Sequence, residues 1–320
     1  MNKISDMKYL WRTKKVKHLN SRGSKKQKVI AINELRSQTN YKLKDILDVA
    51  QIARSVYHYW IKKLESKNGV YNKLVNLIKK IVHDNKMRYG YRRVTLTLKK
   101  LGFIINHKKV LRIMRENNLL CTKFTRRSRF LKTYKGQIGK VAKNMLNRRF
   151  KTDRPLQKLV SDVTQFNIKG SNVKLYLSTI LDIYSGEVIS FSISKSPQLS
   201  FAMESLITCI DKLKNLSYRT TIHTDQGWHY QHNSWVSTLK ENNIFQSMSR
   251  KGNCLDNAPM ENFFGLLKQE MFYGMKYDSY DVLKKDIIQY IKYYNHDRIK
   301  TKLNGMSPVE YRENFKVNIL

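Results

Sequence analysis

The spacing of apolar positions changes near residue 158 and predicts two kinds of structure in one chain. Before this point, apolar residues recur every three or four positions, which predicts amphipathic helices. After it, runs that alternate apolar and polar side chains predict β-strands interleaved with helices. We therefore expect small all-α domains followed by an α/β core, in which helices flank a mixed sheet.

The first helical cluster has the pattern of a helix-turn-helix domain. A helix over KKQKVIAINELRSQ precedes two further helices, which are separated by a break at residues 50–53. Arg54, Ser55 and His58 are expected to face outward from the last helix as DNA-contacting residues. A three-helix domain with no role in DNA binding would have the same pattern.

A second helical cluster is expected after a break at the Asn-Gly pair of residues 68–69. Gly102 suits a position just past a helix C-terminus, and Asn106 suits the cap of the next helix. That next helix carries Lys108, Lys109 and Arg112 opposite its apolar side. Such a face indicates a DNA-binding surface or a basic face that is simply solvated.

The second half predicts three strands, a helix, a strand, a helix, a strand and a helix, in that order. The last of these helices lies in CLDNAPMENFFGLLKQEMFY, with Asn257 as its expected N-cap. At about 100° per residue, one apolar stripe is formed by Met260, Phe263, Phe264, Leu267 and Met271. Glu261 and Lys268 share the flank of that stripe, and a further long helix follows in YDVLKKDIIQYIKYYNHDR.

Charge separates the two halves further. The 320-residue chain has 62 Lys and Arg against 24 Asp and Glu, and residues 1–150 contain 40 of the basic and only 7 of the acidic side chains. A field of this strength needs a polyanionic partner, and nucleic acid is the first candidate. The linker TKFTRRSRFLKTYKGQ, which includes Arg126 and Arg127, is expected to lie along a phosphate backbone.

Other classes of protein are disfavoured. No apolar run is long enough to span a bilayer, and the N-terminus lacks the apolar core of a signal peptide. The three scattered cysteines form neither a disulfide framework nor a zinc motif. The sequence therefore predicts a cytoplasmic, nucleoid-associated protein with no membrane partner.

Three carboxylates stand where chemistry is expected. Asp162 lies inside a strand, Asp225 ends another strand, and Glu261 lies on the helix after Asn257. Each alone is more simply a turn, cap or surface residue, and Asp182 in LDIYSG is taken as an acid that leads into a turn. Together they suit two Mg²⁺ ions about 4 Å apart, with Mn²⁺ as a substitute, for phosphoryl transfer.

At this point the chain resembles the DDE transposases of bacterial insertion sequences, which have a retroviral-integrase-type core. The stretches that carry the resemblance include YGYRRVTLTLKKLGFIINHKKVLRIMRENNLL, VSDVTQF, IHTDQGWHY, SMSRKGNCLDNAPMENFFGLLKQE and YIKYYNHDRIKTKLNGMSPVEYR. They span about residues 25–315 in the order that the family has them. Asp225 and Glu261 are separated by 35 residues, and Lys268 follows Glu261 by seven positions, as in the family.

The resemblance implies a ribonuclease-H-like core with Asp162, Asp225 and Glu261 as its metal-binding catalytic triad, and Lys268 as a DNA contact. It also implies N-terminal helix-turn-helix regions that recognise terminal DNA. Leu159 and Ser161 depart from the family, which usually has Trp and Thr there. The expected division is an arm (1–24), a helix-turn-helix domain (25–66), a second such domain (70–120), a basic linker (121–157), the core (158–275) and a helical extension (276–320).

The function expected from these observations is Mg²⁺-dependent cleavage of DNA 3′ ends and strand transfer of the chain's own insertion element. The partners would be the terminal inverted repeats and target DNA, bound by a homo-multimer. Two alternatives remain: a non-catalytic DNA-binding regulator of transposition, and a structure-specific nuclease of the same fold.

Overall fold

The structure is a computed structural model that describes residues 24–124, 141–214, 216–250 and 253–317. Contacts along the chain divide it into two compact units, residues 1–80 and residues 81–320. No helix within the described ranges has both the length and the apolar character needed to cross a membrane.

In the first unit, helices α1 (Lys25–Gln38) and α2 (Leu43–Ala50) and the start of α3 (Arg54–Asp84) surround one small core. Ser24 caps α1, because its hydroxyl accepts a hydrogen bond from Gln27 N while the Gln27 side chain accepts one from Ser24 N. The predicted turn at residues 50–53 is confirmed. The core is formed by Val29, Ile32, Leu35, Ile46, Leu47, Ala50, Ile52 and Tyr57.

The predicted helix break at residues 68–69 is wrong, because α3 continues without interruption from Arg54 to Asp84. An exposed glycine in a helix costs about 1 kcal/mol relative to alanine. Residues buried before and after it, such as Tyr57, Leu74 and Ile78, outweigh that cost. The Asn-Gly signal is therefore overridden by packing.

The second unit begins with two short helices, α4 (Tyr91–Lys100) and α5 (His107–Glu116), as the sequence predicts. Asn106 caps α5, since its side chain accepts a hydrogen bond of 2.8 Å from Lys108 N. Gly102 follows α4 with φ +85°, a conformation that favours glycine.

The five strands of the described residues form one mixed sheet in the order β3-β2-β1-β4-β5. Antiparallel pairing joins β1 to β2 and β2 to β3, whereas β4 runs parallel to β1 and β5 runs parallel to β4. This confirms the expected mixed sheet. The strands are β1 (Lys158–Asn167), β2 (Lys174–Asp182), β3 (Val188–Ser194), β4 (Thr221–Thr224) and β5 (Phe245–Met248).

Helices cover both faces of the sheet. One core joins the sheet to α9 (Ala258–Leu267) and α10 (Tyr280–His296), and the other joins it to α6 (Leu199–Leu213) and α8 (Asn233–Glu241). The remaining helices are α7 (Trp228–Gln231) and α11 (Pro308–Val317). Val160 belongs to the first core and Leu159 to the second, which is the alternation expected of a strand.

The turn between β2 and β3 depends on Gly186 and on the acid predicted to lead into it. Asp182 is buried and accepts hydrogen bonds from Leu156 N, Tyr184 N and both the amide and the hydroxyl of Ser185. Gly186 has φ +68° and its carbonyl accepts a hydrogen bond from Lys300 Nζ. The predicted turn role of Asp182 is therefore confirmed.

We expect Gly186→Ala to destabilise the chain more than Gly170→Ala does. Both glycines have a positive φ, so backbone strain should lower the free energy of unfolding of each variant by about 1–2 kcal/mol. A Cβ at Gly186 would also collide with Lys300 Nζ, whereas a Cβ at Gly170 would meet open space. Lys300 Nζ donates hydrogen bonds of 3.2 Å to Gly186 O and 2.7 Å to Tyr294 OH, which the collision would disturb. Urea unfolding should show about 1 kcal/mol of extra loss for Gly186→Ala; equal losses would contradict this account.

Candidate active site

Parallel pairing of β1 and β4 brings two of the predicted carboxylates level with each other. Val160 pairs with His223 in this register, so the residues two positions further on are Asp162 and Asp225. Asp162 is on the same face of β1 as Val160, which contacts the core beneath α9. Asp225 immediately follows β4, and both acids are half-buried.

The two acids interact through their charges. Burial and then the negative charge of Asp225 raise the pKa of Asp162 well above its ordinary value. The charge of Glu261 raises the pKa of Asp162 further, and the charge of Lys268 lowers it. Burial also raises the pKa of Asp225, although the Gly227 amide donates to its carboxylate at 2.9 Å. The site therefore concentrates negative charge that a cation would relieve.

Helix α9 carries Glu261 beside the sheet, and its apolar stripe is confirmed. Met260, Phe263, Phe264 and Leu267 are all buried against β1, β2 and α10, while Glu261 remains half-buried. A rigidly packed helix is a suitable support for a side chain that must hold a fixed position.

Lys268 ends α9 and reaches back to β1. Its Nζ donates a 2.7 Å hydrogen bond to Thr164 Oγ1 and lies 5.1 Å from the centre of the Phe166 ring. Thr164 and Phe166 follow Asp162 at two-residue intervals, and thus on the same face of the strand. The lysine is therefore fixed over the strand that carries the first carboxylate.

Asn257 is at the N-cap of α9, but the prediction that its side chain caps the helix is wrong. A 3₁₀ turn (Cys254–Asn257) precedes the helix and leaves Asn257 with φ −117° and ψ 27°, outside the extended conformation that a capping residue usually has. Both polar atoms of its amide are buried without a hydrogen-bond partner among the described residues.

The two departures from the usual family pattern fit the strand well. Leu159 and Ser161 are completely buried in β1. Leu159 packs in the core beneath α6, and the hydroxyls of Ser161 and Tyr230 lie 3.3 Å apart.

The donor set suits a hard divalent cation, which binds carboxylate oxygens and retains waters. Within the described ranges, however, no three His, Cys, Asp or Glu side chains are close enough to form a complete metal site. Mg²⁺ commonly uses one or two carboxylates together with substrate phosphates. Asp162 and Asp225, with Glu261 on α9, are the carboxylates that would hold such an ion.

Asp256 precedes the N-cap of α9 and accepts hydrogen bonds from three side chains. Arg148 Nε donates to it at 2.8 Å, Asn144 Nδ2 at 3.1 Å, and Arg250 Nε and Nη2 each at 3.0 Å. The Arg250 side chain above all, together with Arg148, holds the pKa of this carboxyl well below its usual range. No local pattern in the sequence singles out Asp256, because its partner Arg148 is 108 residues away along the chain.

A second buried carboxylate, Glu270, lies in a π-helical turn (Lys268–Phe272) that continues α9. Its side chain accepts hydrogen bonds from Arg298 Nη2 at 2.6 Å and from Tyr290 OH at 3.0 Å. Arg88 Nε donates to the Glu270 carbonyl at 3.3 Å, and Arg93 lies 3.6 Å from the carboxylate. These contacts join the π-helical turn to α4 and to the segment just before it.

The predicted DNA-contacting residues of the helical regions are all on the surface. Arg54, Ser55 and His58 are exposed on the first turns of α3. Lys108, Lys109 and Arg112 are exposed on α5, where Arg112 lies 3.7 Å from Glu116. Arg126 and Arg127 lie outside the described residues.

Comparison with protein families gives three matches along the chain. Residues 152–254 and 261–315 each match an integrase core domain family, and residues 71–129 match an HTH-like domain family. The first two ranges contain β1, β4 and most of α9, with all three carboxylates, and the third contains α4 and α5.

Curated relatives cover most of the chain. It is 44% identical over 281 residues to InsK of Escherichia coli (strain K12), assigned as the transposase of insertion sequence element IS150, with 88% of this chain and 96% of that protein covered. It is 30% identical to the transposase of IS904 from Lactococcus lactis, with 74% of this chain and 92% of that protein covered. The catalytic core of HTLV-2 integrase, solved in complex with magnesium, is a weak structural match, with a TM-score of 0.38 and 17% identity. The match covers 51% of this chain and 99% of that chain.

Proposed function

The chain belongs to the family of insertion-sequence transposases with an integrase core, and on this basis we propose that it cleaves and joins the DNA ends of its own element. The enzyme is of the polynucleotidyl-transferase type. The proposed reaction frees a 3′-hydroxyl by hydrolysis of a phosphodiester, and that hydroxyl then attacks a phosphate of the target DNA. The observation that supports this best is the parallel register of β1 and β4, which brings Asp162 and Asp225 level with each other at one end of these strands.

Each residue of the site has a proposed task. Asp162 and Asp225 are fixed by the pairing of β1 with β4 and hold the metal, with Glu261 approaching from α9. Two Mg²⁺ ions bound there, for which Mn²⁺ would substitute, would activate the attacking oxygen and stabilise the leaving one. Lys268 donates to Thr164 and offers its charge to a DNA phosphate beside the carboxylates.

The basic half of the chain would recognise the DNA. The HTH-like region is typical of DNA binding, and the exposed Arg54, Ser55 and His58 with Lys108, Lys109 and Arg112 would contact the terminal inverted repeats. Because two ends must be joined to one target, we propose a homo-multimer on DNA. The reaction would take place in the bacterial cytoplasm, at the nucleoid.

The proposal is tested by incubating the purified chain with labelled oligonucleotides of the element's ends and a supercoiled target. With Mg²⁺, nicked ends and joined products are expected, and a chelator should abolish both. Nicking without joining would indicate a structure-specific nuclease instead. Binding with neither product would indicate a non-catalytic regulator.

A further inference from the structure

Two half-exposed arginines share one buried carboxylate at the start of α9. The Asp256 side chain is completely buried, whereas the Arg148 and Arg250 side chains are 42% and 56% exposed. Asp256 Oδ1 accepts from Arg148 Nε at 2.8 Å and from Arg250 Nη2 at 3.0 Å, and Oδ2 accepts from Arg250 Nε at 3.0 Å. Both guanidinium groups are therefore held in one orientation.

These contacts leave donors on both arginines. A guanidinium has five N–H groups in one plane. Arg250 uses Nε and Nη2 on Asp256, and Arg148 uses Nε on Asp256 and Nη2 on Asn253 Oδ1, at 2.9 Å. The Nη1 groups are not used in these bonds, and each can donate to a further acceptor.

The charge of the cluster favours an anion. Two guanidinium cations share a single carboxylate, so the cluster keeps a net positive charge. The Arg250 side chain and Arg148 hold the pKa of Asp256 well below its usual range, so this balance does not change near neutral pH. Planar guanidinium forks match the oxygens of phosphate particularly well.

The cluster lies at the start of α9, the helix that carries Glu261 of the proposed catalytic centre. Asp256 precedes Glu261 by five residues across the start of α9. A rise of about 1.5–2 Å per residue through the 3₁₀ turn and α9 separates them by roughly 8–10 Å along the helix axis. Since the axial rise is about 3.4 Å per nucleotide and phosphates along a strand are farther apart than this rise, the separation corresponds to one or two nucleotides.

We propose that Arg148 and Arg250 bind a backbone phosphate of the DNA, one or two nucleotides from the phosphate that is cleaved, and that Asp256 positions both arginines. The proposal rests on the proposed transposase function and adds a binding site to it. A phosphate held there would fix the register of the strand over Asp162, Asp225 and Glu261.

The first test compares Arg148→Gln and Arg250→Gln with Arg154→Gln. Arg154 is a matched control, because its side chain is also 42% exposed and is paired with an aspartate, the exposed Asp153, at 2.9 Å. Each site variant should bind end DNA roughly ten- to a hundredfold more weakly, with the salt slope of log Kd reduced by about one. Arg154→Gln should match the wild type.

The second test locates the phosphate. Single methylphosphonate substitutions, which remove one backbone charge, are placed along the end DNA and cleavage is measured. The wild type should lose roughly ten- to a hundredfold of its cleavage at one position within two nucleotides of the cut. Cleavage by Arg250→Gln should be unaffected by a methylphosphonate at that position, because the arginine proposed to bind this phosphate is already missing.

Two results would overturn the inference. One is a methylphosphonate profile of Arg250→Gln that is the same as that of the wild type. The other is a pair of arginine variants that melt at lower temperature but bind and cleave end DNA like Arg154→Gln, since the cluster would then be structural only. A wild type that cleaves no end DNA would instead refute the proposed function.

Discussion

Asp225→Asn is expected to abolish cleavage and strand transfer while end binding stays close to wild type. The metal that Asp225 is proposed to hold contributes several kcal/mol to the stabilisation of the transition state. Because about 1.4 kcal/mol corresponds to a tenfold change in rate, the loss should be at least about 10³-fold. Labelled end DNA with Mg²⁺ measures both steps, and a mobility-shift assay measures binding.

A stability measurement distinguishes this result from simple unfolding. Burial and the charge of Asp225 both oppose ionisation of Asp162, so removing the charge of Asp225 should increase the melting temperature without metal. Mg²⁺ should stabilise the wild type and have little effect on Asp225→Asn. Asp162→Asn and Glu261→Gln are expected to lose activity in the same way. Strand transfer that survives in Glu261→Gln would remove Glu261 from its proposed role.

Glu270→Gln should be among the most destabilising single changes in the second unit. Glu270 and Arg298 are both buried, and the substitution leaves the arginine without a counter-charge. Breaking such a pair costs about 3–5 kcal/mol. Urea unfolding followed by circular dichroism should show this loss at neutral pH.

The pH dependence of the same pair has a defined sign. Burial opposes ionisation of Glu270, but Arg298, Arg93 and Tyr290 together hold its pKa below the ordinary value. A carboxyl group whose pKa is lowered by folding stabilises the fold at pH values above its unfolded-state pKa of about 4.3. This contribution to the free energy of unfolding is lost as the pH falls through the folded-state pKa. The difference in the free energy of unfolding between the wild type and Glu270→Gln should therefore become smaller below about pH 4.

An exposed ion pair provides the control for this prediction. Lys100 and Glu310 lie 2.9 Å apart, with side chains 41% and 46% exposed, so Glu310→Gln should cost no more than about 1 kcal/mol. Replacing both members of the buried pair, as in Glu270→Leu with Arg298→Met, should recover much of the loss. A loss for Glu270→Gln as small as that for Glu310→Gln would contradict the prediction.

Local patterns in the sequence predict much of this fold. The five strands, the turn at Gly186, the helix of Glu261 and the long helix after it are all present where alternation, turn residues and apolar spacing indicate them. These features depend on neighbours within a few residues, which a sequence displays directly. The assignment of catalytic and DNA-contacting roles and the bounds of the six predicted domains stay predictions.

Features that depend on distant partners could not be predicted. Asp256 lies 108 residues from Arg148, and Glu270 lies 182 residues from Arg88. The π-helical turn after Leu267 has no local signal either, since the residues that hold Glu270 come from other elements. The unbroken α3 shows the opposite case, in which tertiary packing overrides a strong local signal.

The link between Glu270 and Arg298 also bears on when the enzyme matures during its synthesis. Translation adds about 5–20 residues per second, so Arg298 is made roughly 1–6 s after Glu270, 28 residues earlier. Until then, Glu270 lacks the counter-charge that offsets the cost of burying its carboxylate. The end of the helix that carries Glu261 is therefore not yet stabilised. A nascent chain still on the ribosome is therefore expected to fold the helices of the first unit before the end of α9 is fixed in the second.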